Sequence, residues 1–213
     1  MDDFPTARLS GRQAQAARND RLILDAARAV FTADPDAPIA AVAERAGVGI
    51  SALYRRYRGK EDLLRHLTLE GLQRYITLVD AALADEGDPW EAFTTFMRRA
   101  VDADPHSLTV HLAGTFTPSE EHWREGDRAA ALNVLLLERT KDAGALRADI
   151  EVGDLSLLFE QLASIELGDR ERTRQLRHRY LALALEALRA PGDAPLPGPA
   201  PSWEEIRSQY APS

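Results

Sequence analysis

The stretch that decides the fold is residues 39–57, which read IAAVAERAGVGISALYRRY. Its apolar residues recur at helical spacing on both sides of Gly47, which predicts two short helices joined at that glycine. Glycine can take the left-handed backbone conformation that a tight turn between helices requires. On the second helix, residues spaced i, i+3, i+4 and i+7 predict a buried stripe of Ile50, Leu53, Tyr54 and Tyr57.

The opposite face of the second helix carries short and basic side chains, namely Ser51, Ala52, Arg55 and Arg56. This layout is that of a helix-turn-helix, in which the first helix braces and the second enters a DNA major groove. An ordinary helical hairpin needs the same alanines, glycine and leucine. The pattern alone therefore leaves both interpretations open.

The charge of the chain is unevenly distributed, although its net value is −8. Residues 1–66 carry a net charge of +2, and the remaining residues carry −10. Binding to DNA phosphates needs local positive charge rather than a basic whole chain. Further basic residues precede and follow the predicted hairpin: Arg8, Arg12, Arg18, Arg21, Arg58 and Lys60. This basic flank favours DNA binding over a plain hairpin.

A competing motif overlaps the turn, because residues 47–52 match G-x-G-x-x-A, a fingerprint of dinucleotide binding. That fingerprint must follow a buried strand and open a long helix. Here it follows residues 40–46, an amphipathic helix-forming run, and no βαβ pattern surrounds it. The sequence therefore favours the helix-turn-helix over a dinucleotide site.

The remainder of the chain predicts an all-α fold, because apolar residues recur at helical spacing and alternating strand-like segments are missing. Helices are predicted over residues 16–32, 39–46, 50–57, 60–84, 89–103, 105–116, 118–143, 152–167 and 169–189. A Pro-rich tail follows, for which an extended or disordered strap is the default, with a helical turn or two over 203–210. Three parts are expected: a helix-turn-helix domain over 1–64, a larger helical domain over 65–190 and the tail over 191–213.

Composition and missing motifs exclude several classes of protein. The chain has no cysteine, which excludes a disulfide scaffold, an iron–sulfur cluster and a Cys-ligated zinc site. No apolar run reaches the roughly 18–20 residues of a membrane span, and the acidic N-terminus lacks the apolar region of a signal peptide. A cytoplasmic protein is therefore expected.

Catalytic and metal-binding signals are weak. Motifs of the common hydrolases, zinc proteases and P-loop proteins are missing, so no enzyme activity, cofactor or metal is predicted. His66 and Glu70 are four residues apart and could hold a metal ion, but a surface pair on one helix is the expected arrangement.

Residues 19–66 resemble the DNA-binding domain of TetR-family transcriptional repressors. The matching runs are ILDAARAVF at 23–31, VAERAGV at 42–48, LYRRY at 53–57 and GKEDLL at 59–64. The N-terminal placement of this segment and the helical remainder also match. Beyond residue 64 the resemblance covers only the architecture.

The resemblance implies roles for individual residues. Tyr54 and Lys60 would contact DNA phosphates, Ser51, Ala52 and Arg55 would face base edges, and Arg56 would face bases or backbone. Two positions depart from the family pattern. Gly49 stands where the family often has a Ser or Thr that caps the recognition helix, so that cap is lost. Ala37-Pro38 stands where a Thr or Ser usually starts the bracing helix and touches a phosphate.

The larger helical domain is expected to form a dimer, because its last two long helices carry apolar arcs wider than one core needs. The resemblance implies the same homodimer, although a fully buried core helix would show a similar arc. The predicted interface residues are Leu158, Leu162, Tyr180, Leu181, Leu185 and Leu188.

The middle of the chain gathers aromatic, histidine and methionine side chains, and the resemblance implies a small-molecule pocket there. Plain core packing is the alternative for each of them. The predicted pocket residues are Trp90, Phe93, Phe96, Met97, His111, Phe116 and Trp123.

These features together predict a homodimeric, ligand-responsive regulator of transcription. As a repressor, it would bind a palindromic operator in double-stranded DNA and leave it when an unknown small-molecule effector binds. The alternative is a helical small-molecule sensor or carrier that keeps this scaffold without binding DNA. A cofactor-free helical enzyme is a third and more distant option.

Overall fold

The computed structural model describes residues 11–103, 116–191 and 194–209, with side chains from Arg18 onward. Every extended element of regular structure in the described residues is a helix, and a single antiparallel bridge joins Leu146 and Arg189. The all-α prediction is therefore confirmed. The chain divides into two compact units with the boundary between Leu67 and Thr68.

Helices α1 to α4 begin in the first unit, and α4 continues across the boundary. They are Gly11–Ala33, Ile39–Ala46, Ile50–Arg56 and Lys60–Leu83. The second unit adds α5 at Pro89–Ala103, α6 at Glu120–Asp142, α7 at Val152–Ala163, α8 at Arg170–Leu188 and α9 at Trp203–Ser208. The helix predicted over 105–116 lies outside the described residues, apart from its last residue. No described helix combines the length and apolar character that a membrane crossing requires.

The buried stripe predicted on α3 is only half present in the core of the first unit. Leu53 and Tyr57 are fully buried, but Ile50 and Tyr54 are 40% and 52% exposed. Because α3 has only two turns, one residue per turn suffices to anchor it against its neighbours. The i, i+4 pair Leu53 and Tyr57 fills that role, and the rest of α3 faces solvent.

The core of the second unit is built around α5, which packs against α6, α7 and α8. Tyr75 lies edge-on to Phe96 and Phe159, with ring centroids 5.5 and 6.0 Å apart. Its buried hydroxyl donates to Oδ1 of Asn133 at 3.1 Å, and Nδ2 of Asn133 donates back at 2.9 Å. Burial raises the pKa of Tyr75 well above its usual value. The aromatic core therefore contains one satisfied polar pair.

Two arginines of the second unit hold helix ends. Arg139 on α6 donates to the carbonyl oxygens of Ala82 at 2.9 Å and Leu83 at 3.1 Å, at the last turn of α4. Arg177 on α8 is buried and donates to the carbonyl oxygens of Ala163 and Ile165, just where α7 ends. The helix predicted to run to residue 167 therefore stops early, because Arg177 binds the carbonyl groups freed at its end.

The tail is docked, which overturns the expectation of a disordered tail for residues 194–209. Ile206 is buried, and the indole N–H of Trp203 donates to Oδ1 of Asp127 at 2.9 Å. The backbone of Pro201 crosses α7 so closely that a Cβ at Gly153 would lie 1.9 Å from the Pro201 carbonyl oxygen. The predicted helical turns are confirmed over Trp203–Ser208, where Ser202 caps the helix.

Candidate nucleic-acid interface

The turn between α2 and α3 has the geometry expected of a helix-turn-helix. Gly47 ends α2 with φ of 65°, and its N–H donates to carbonyl oxygens of the preceding turn. Gly49 then takes an extended conformation and begins α3 without a side-chain cap, as its lack of a hydroxyl predicts. The motif follows a helix and not a strand, so the dinucleotide alternative is excluded.

The outer face of α3 carries most of the residues predicted to contact DNA. Ser51, Tyr54 and Arg55 are exposed, and Ala52 is half-buried between them. Ile50 also lies on this exposed face, although its helical spacing had predicted a core position. Its position at the first residue of α3 was the available signal, because the N-terminal residues of a recognition helix contact base edges.

The two neighbouring arginines of α3 differ in their surroundings. Arg55 is exposed, and no hydrogen bond or ion pair joins it to another residue of the described ranges. Nε of Arg56 instead donates to both carboxylate oxygens of Asp20 on α1, at 2.9 and 3.0 Å. This hydrogen bond raises the pKa of Arg56 above its ordinary value. The DNA contact predicted for Arg56 would have to replace or share the bond to Asp20.

Lys60 also has a partner within its own unit. Its Nζ donates to the carbonyl oxygen of Pro35 at 2.7 Å and lies 5.2 Å from the centroid of the Phe31 ring. This ammonium group therefore holds the loop between α1 and α2 against the start of α4. Its predicted contact with a DNA phosphate stays a prediction.

His66 and Glu70 each form a hydrogen bond with a different residue of α4. Nδ1 of His66 lies 2.8 Å from the carbonyl oxygen of Asp62. Glu70 accepts a hydrogen bond from Arg74 at 2.8 Å. Both contacts are spaced four residues apart, as in an ordinary solvated helix face.

The residues predicted to line an effector pocket lie in different surroundings. Four of them are buried in the core of the second unit: Trp90, Phe93, Phe96 and Met97. The half-buried Phe116 ring lies 5.8 Å from the ring of His122, and Trp123 lies under the guanidinium group of Arg207 at 4.9 Å. His111 lies outside the described residues. The pocket itself stays a prediction.

The predicted dimer interface divides into buried and accessible residues. Leu162, Leu181 and Leu185 are buried in the core of their own subunit and offer no surface to a second copy. The wide apolar arc did not separate these positions from accessible ones, because α7 and α8 both contribute side chains to the core that they share with α5. Three predicted residues keep side-chain surface, namely Leu158, Tyr180 and Leu188. Leu183 on α8, which is not among the predicted interface residues, is also exposed.

Comparison with known proteins assigns both units to one family. Residues 23–67 match the family model of bacterial regulatory proteins of the tetR family. Residues 88–190 match the model of the C-terminal domain of SbtR-like transcriptional regulators. No curated protein matches the sequence.

This chain matches solved structures with the same fold over nearly the whole length of those structures. The TetR transcriptional regulator SCO0520 from Streptomyces coelicolor is 26% identical, with a TM-score of 0.61 over 82% of this chain and 99% of that one. A TetR transcription regulatory protein from Mycobacterium vanbaalenii is 27% identical, with a TM-score of 0.57 over 84% and 99%. LfrR from Mycobacterium smegmatis, solved in complex with proflavine, is 24% identical, with a TM-score of 0.60 over 84% and 99%.

The matches cover the helix-turn-helix and most of the second unit. They agree with the helix order described above, in which a short two-helix motif near the N-terminus precedes a larger helical unit. The chain belongs to the TetR family of transcriptional regulators, and its N-terminal unit is the DNA-binding domain of that family.

Proposed function

We propose that the chain is a homodimeric repressor that binds a palindromic operator and is released from it by a small-molecule effector. The observation that carries this proposal is the outer face of α3, where Ser51, Tyr54 and Arg55 are exposed on a helix anchored from behind. An exposed helix face with short polar and basic side chains suits the major groove of B-form DNA.

The proposed contacts divide into base contacts and phosphate contacts. Arg55 would donate two hydrogen bonds to a guanine, and Ser51 would donate to or accept from either neighbouring base. Ala52 is small enough to let α3 approach the base edges closely. The hydroxyl of Tyr54 would donate a hydrogen bond to a phosphate. The ammonium group of Lys60 would do the same once it leaves or shares the Pro35 carbonyl.

The proposed dimer would use the accessible apolar side chains of α7 and α8. Tyr180 and Leu183 lie one helical turn apart on α8 and are exposed in the single subunit. Large apolar side chains on one face of a helix favour burial against a second copy, and a two-fold axis would pair each face with itself. Such a dimer presents two recognition helices to the two halves of a palindrome.

The effector is proposed to bind within the second unit, near its aromatic residues. Trp90, Phe93 and Phe96 are buried in the core of this unit, so an effector would have to part their packing to contact the rings. The LfrR complex with proflavine is a case of this fold with a small molecule bound. An effector would release DNA only to the extent that it binds the released state more tightly than the DNA-bound state.

The proposal is tested by binding the purified protein to DNA from upstream of its own and neighbouring genes, at two salt concentrations. We expect tight binding to one palindromic fragment, and an affinity that falls as salt rises. Light scattering would give two chains per particle in the absence of DNA. Absence of binding to every fragment and to a pool of random duplexes at low salt would contradict the proposal. That result would favour a sensor or carrier without DNA binding.

A further inference from the structure

The two adjacent arginines of α3 differ in their partners. Arg55 has no partner among the described residues, whereas Arg56 is bonded to Asp20 through a single nitrogen, Nε. Nε contacts both carboxylate oxygens of Asp20, so the carboxylate lies against the side of the guanidinium group. A DNA phosphate would have to compete with this carboxylate for the same positive charge.

The pair lies at the surface and is therefore easily exchanged. The side chains of Arg56 and Asp20 are 55% and 27% exposed. Exposed ion pairs stabilise a fold only slightly, because water screens both charges. The pair is not needed to hold α3, since Leu53 and Tyr57 are fully buried beneath it. Its main consequence is that the positive charge of Arg56 is neutralised.

We propose that Asp20 withholds Arg56 from the DNA backbone and so limits the affinity of the chain for DNA of any sequence. This inference rests on the proposed function of α3 in DNA binding. Each phosphate that a protein neutralises releases condensed counterions and strengthens binding regardless of sequence. With Arg56 paired to Asp20, the recognition helix has one phosphate contact fewer than its arginines could supply. Its base contacts through Arg55 are unaffected.

The experiment compares full-length wild-type protein, Asp20→Asn and the double variant Asp20→Asn/Arg56→Gln. Binding is measured against a random-sequence duplex and the operator fragment over a series of salt concentrations. Asp20→Asn releases Arg56, and we expect binding to both DNAs to strengthen about three- to tenfold at low salt. The slope of log affinity against log salt should steepen by about 0.9.

The double variant replaces a charged pair by a neutral pair of similar shape. We expect it to keep the wild-type salt slope, because the wild-type pair makes no net contact with phosphate. The matched control is Asp25→Asn, which removes another exposed carboxylate from α1 but has no bond to α3 within the described residues. Its salt slope should stay as in the wild type.

Several outcomes would overturn the inference. A double variant with a slope about 0.9 shallower than wild type would mean that Arg56 already contacts DNA. An Asp20→Asn variant with an unchanged slope would mean that Arg56 does not reach the backbone. A fall in both melting temperature and DNA affinity would make the pair a brace for α3. If neither wild type nor Asp20→Asn binds any duplex at low salt, the proposed function fails as well.

Discussion

Arginine has opposite uses in the two units of this chain. On α3 of the first unit, Arg55 projects into solvent without a partner in the described ranges. In the second unit, Arg139 and Arg177 point inward and bond to carbonyl oxygens at the ends of α4 and α7. The same residue type is therefore presented to solvent on α3 of one unit and caps helix ends in the other. Counting basic residues along a sequence does not separate these two uses.

The largest expected effect comes from an inward arginine. Arg177→Met should lower the free energy of unfolding by about 3 kcal/mol, because the buried carbonyl oxygen of Ala163 and the partly buried one of Ile165 lose charge-assisted bonds. Chemical denaturation monitored by circular dichroism would measure this loss. Arg179→Met, on the exposed face of the same helix, is the matched control and should change stability little. Equal effects of the two substitutions would contradict the distinction between inward and outward arginines.

The outward arginine should show the reverse behaviour. Arg55→Ala should weaken operator binding by about 1–3 kcal/mol and relax the preference for one base pair, if its guanidinium group binds a guanine. The free energy of unfolding should stay as in the wild type, because Arg55 has no partner within the described part of the chain. Fluorescence anisotropy with operator variants would test it. A uniform loss across all base substitutions would instead mark Arg55 as a phosphate contact.

A substitution beneath the docked tail should have a smaller effect on stability, and it tests the close contact between the tail and α7. Gly153→Ala should displace the backbone at Pro201, since the added Cβ would meet its carbonyl oxygen at 1.9 Å. We expect a loss of about 1–2 kcal/mol of stability and faster proteolysis of residues 194–209. Gly126→Ala is the matched control, because its Cβ would meet the Trp203 ring at an ordinary 3.6 Å. A tail equally protected in both variants would show that the close approach is relaxed at no cost.

The smallest expected effect is a loosening of the tail when the pH is lowered. Hydrogen bonds from the Arg147 side chain and then the Leu196 N–H lower the pKa of Asp149, and bonds from Ser202 lower the pKa of Glu205. A carboxyl group whose pKa is lowered in the folded protein stabilises the fold at pH values above the pKa that it has in the unfolded chain. This stabilisation is lost as the pH falls, so the tail should loosen below about pH 4.

This loosening can be followed in a variant that keeps one tryptophan. With Trp90→Phe and Trp123→Phe, the emission of Trp203 should shift to longer wavelength before the helical circular dichroism signal declines. Adding Glu205→Gln should weaken the pH dependence of that shift. Emission that changes only together with the helical signal would show that these carboxylates do not hold the tail.

The sequence predicted those features that depend on neighbouring residues. The turn at Gly47 and the exposed Ser51 and Arg55 follow from helical spacing over a few residues. The stripe assigned to Ile50 and Tyr54 was wrong, because the spacing rule assumes a longer helix than the two turns of α3.

Features that depend on distant residues could not be predicted. Arg56 bonds to a residue 36 positions earlier, and nothing in the local pattern of α3 indicates that partner. The Pro-rich composition of the tail indicated disorder, yet Trp203 finds its acceptor at Asp127 on α6. The apolar arcs of α7 and α8 indicated two buried sides, but not which side would pack within the subunit.

The close approach of Pro201 to α7 has a consequence for how this sequence can vary. Position 153 is reserved for glycine only while the tail crosses it, because any side chain would occupy the space of the Pro201 carbonyl group. The size of the side chain at position 153 and the path of the backbone at position 201 are therefore coupled, although the two positions are 48 apart along the chain. A chain of this fold without such a tail is expected to accept, at position 153, larger residues that favour a helix.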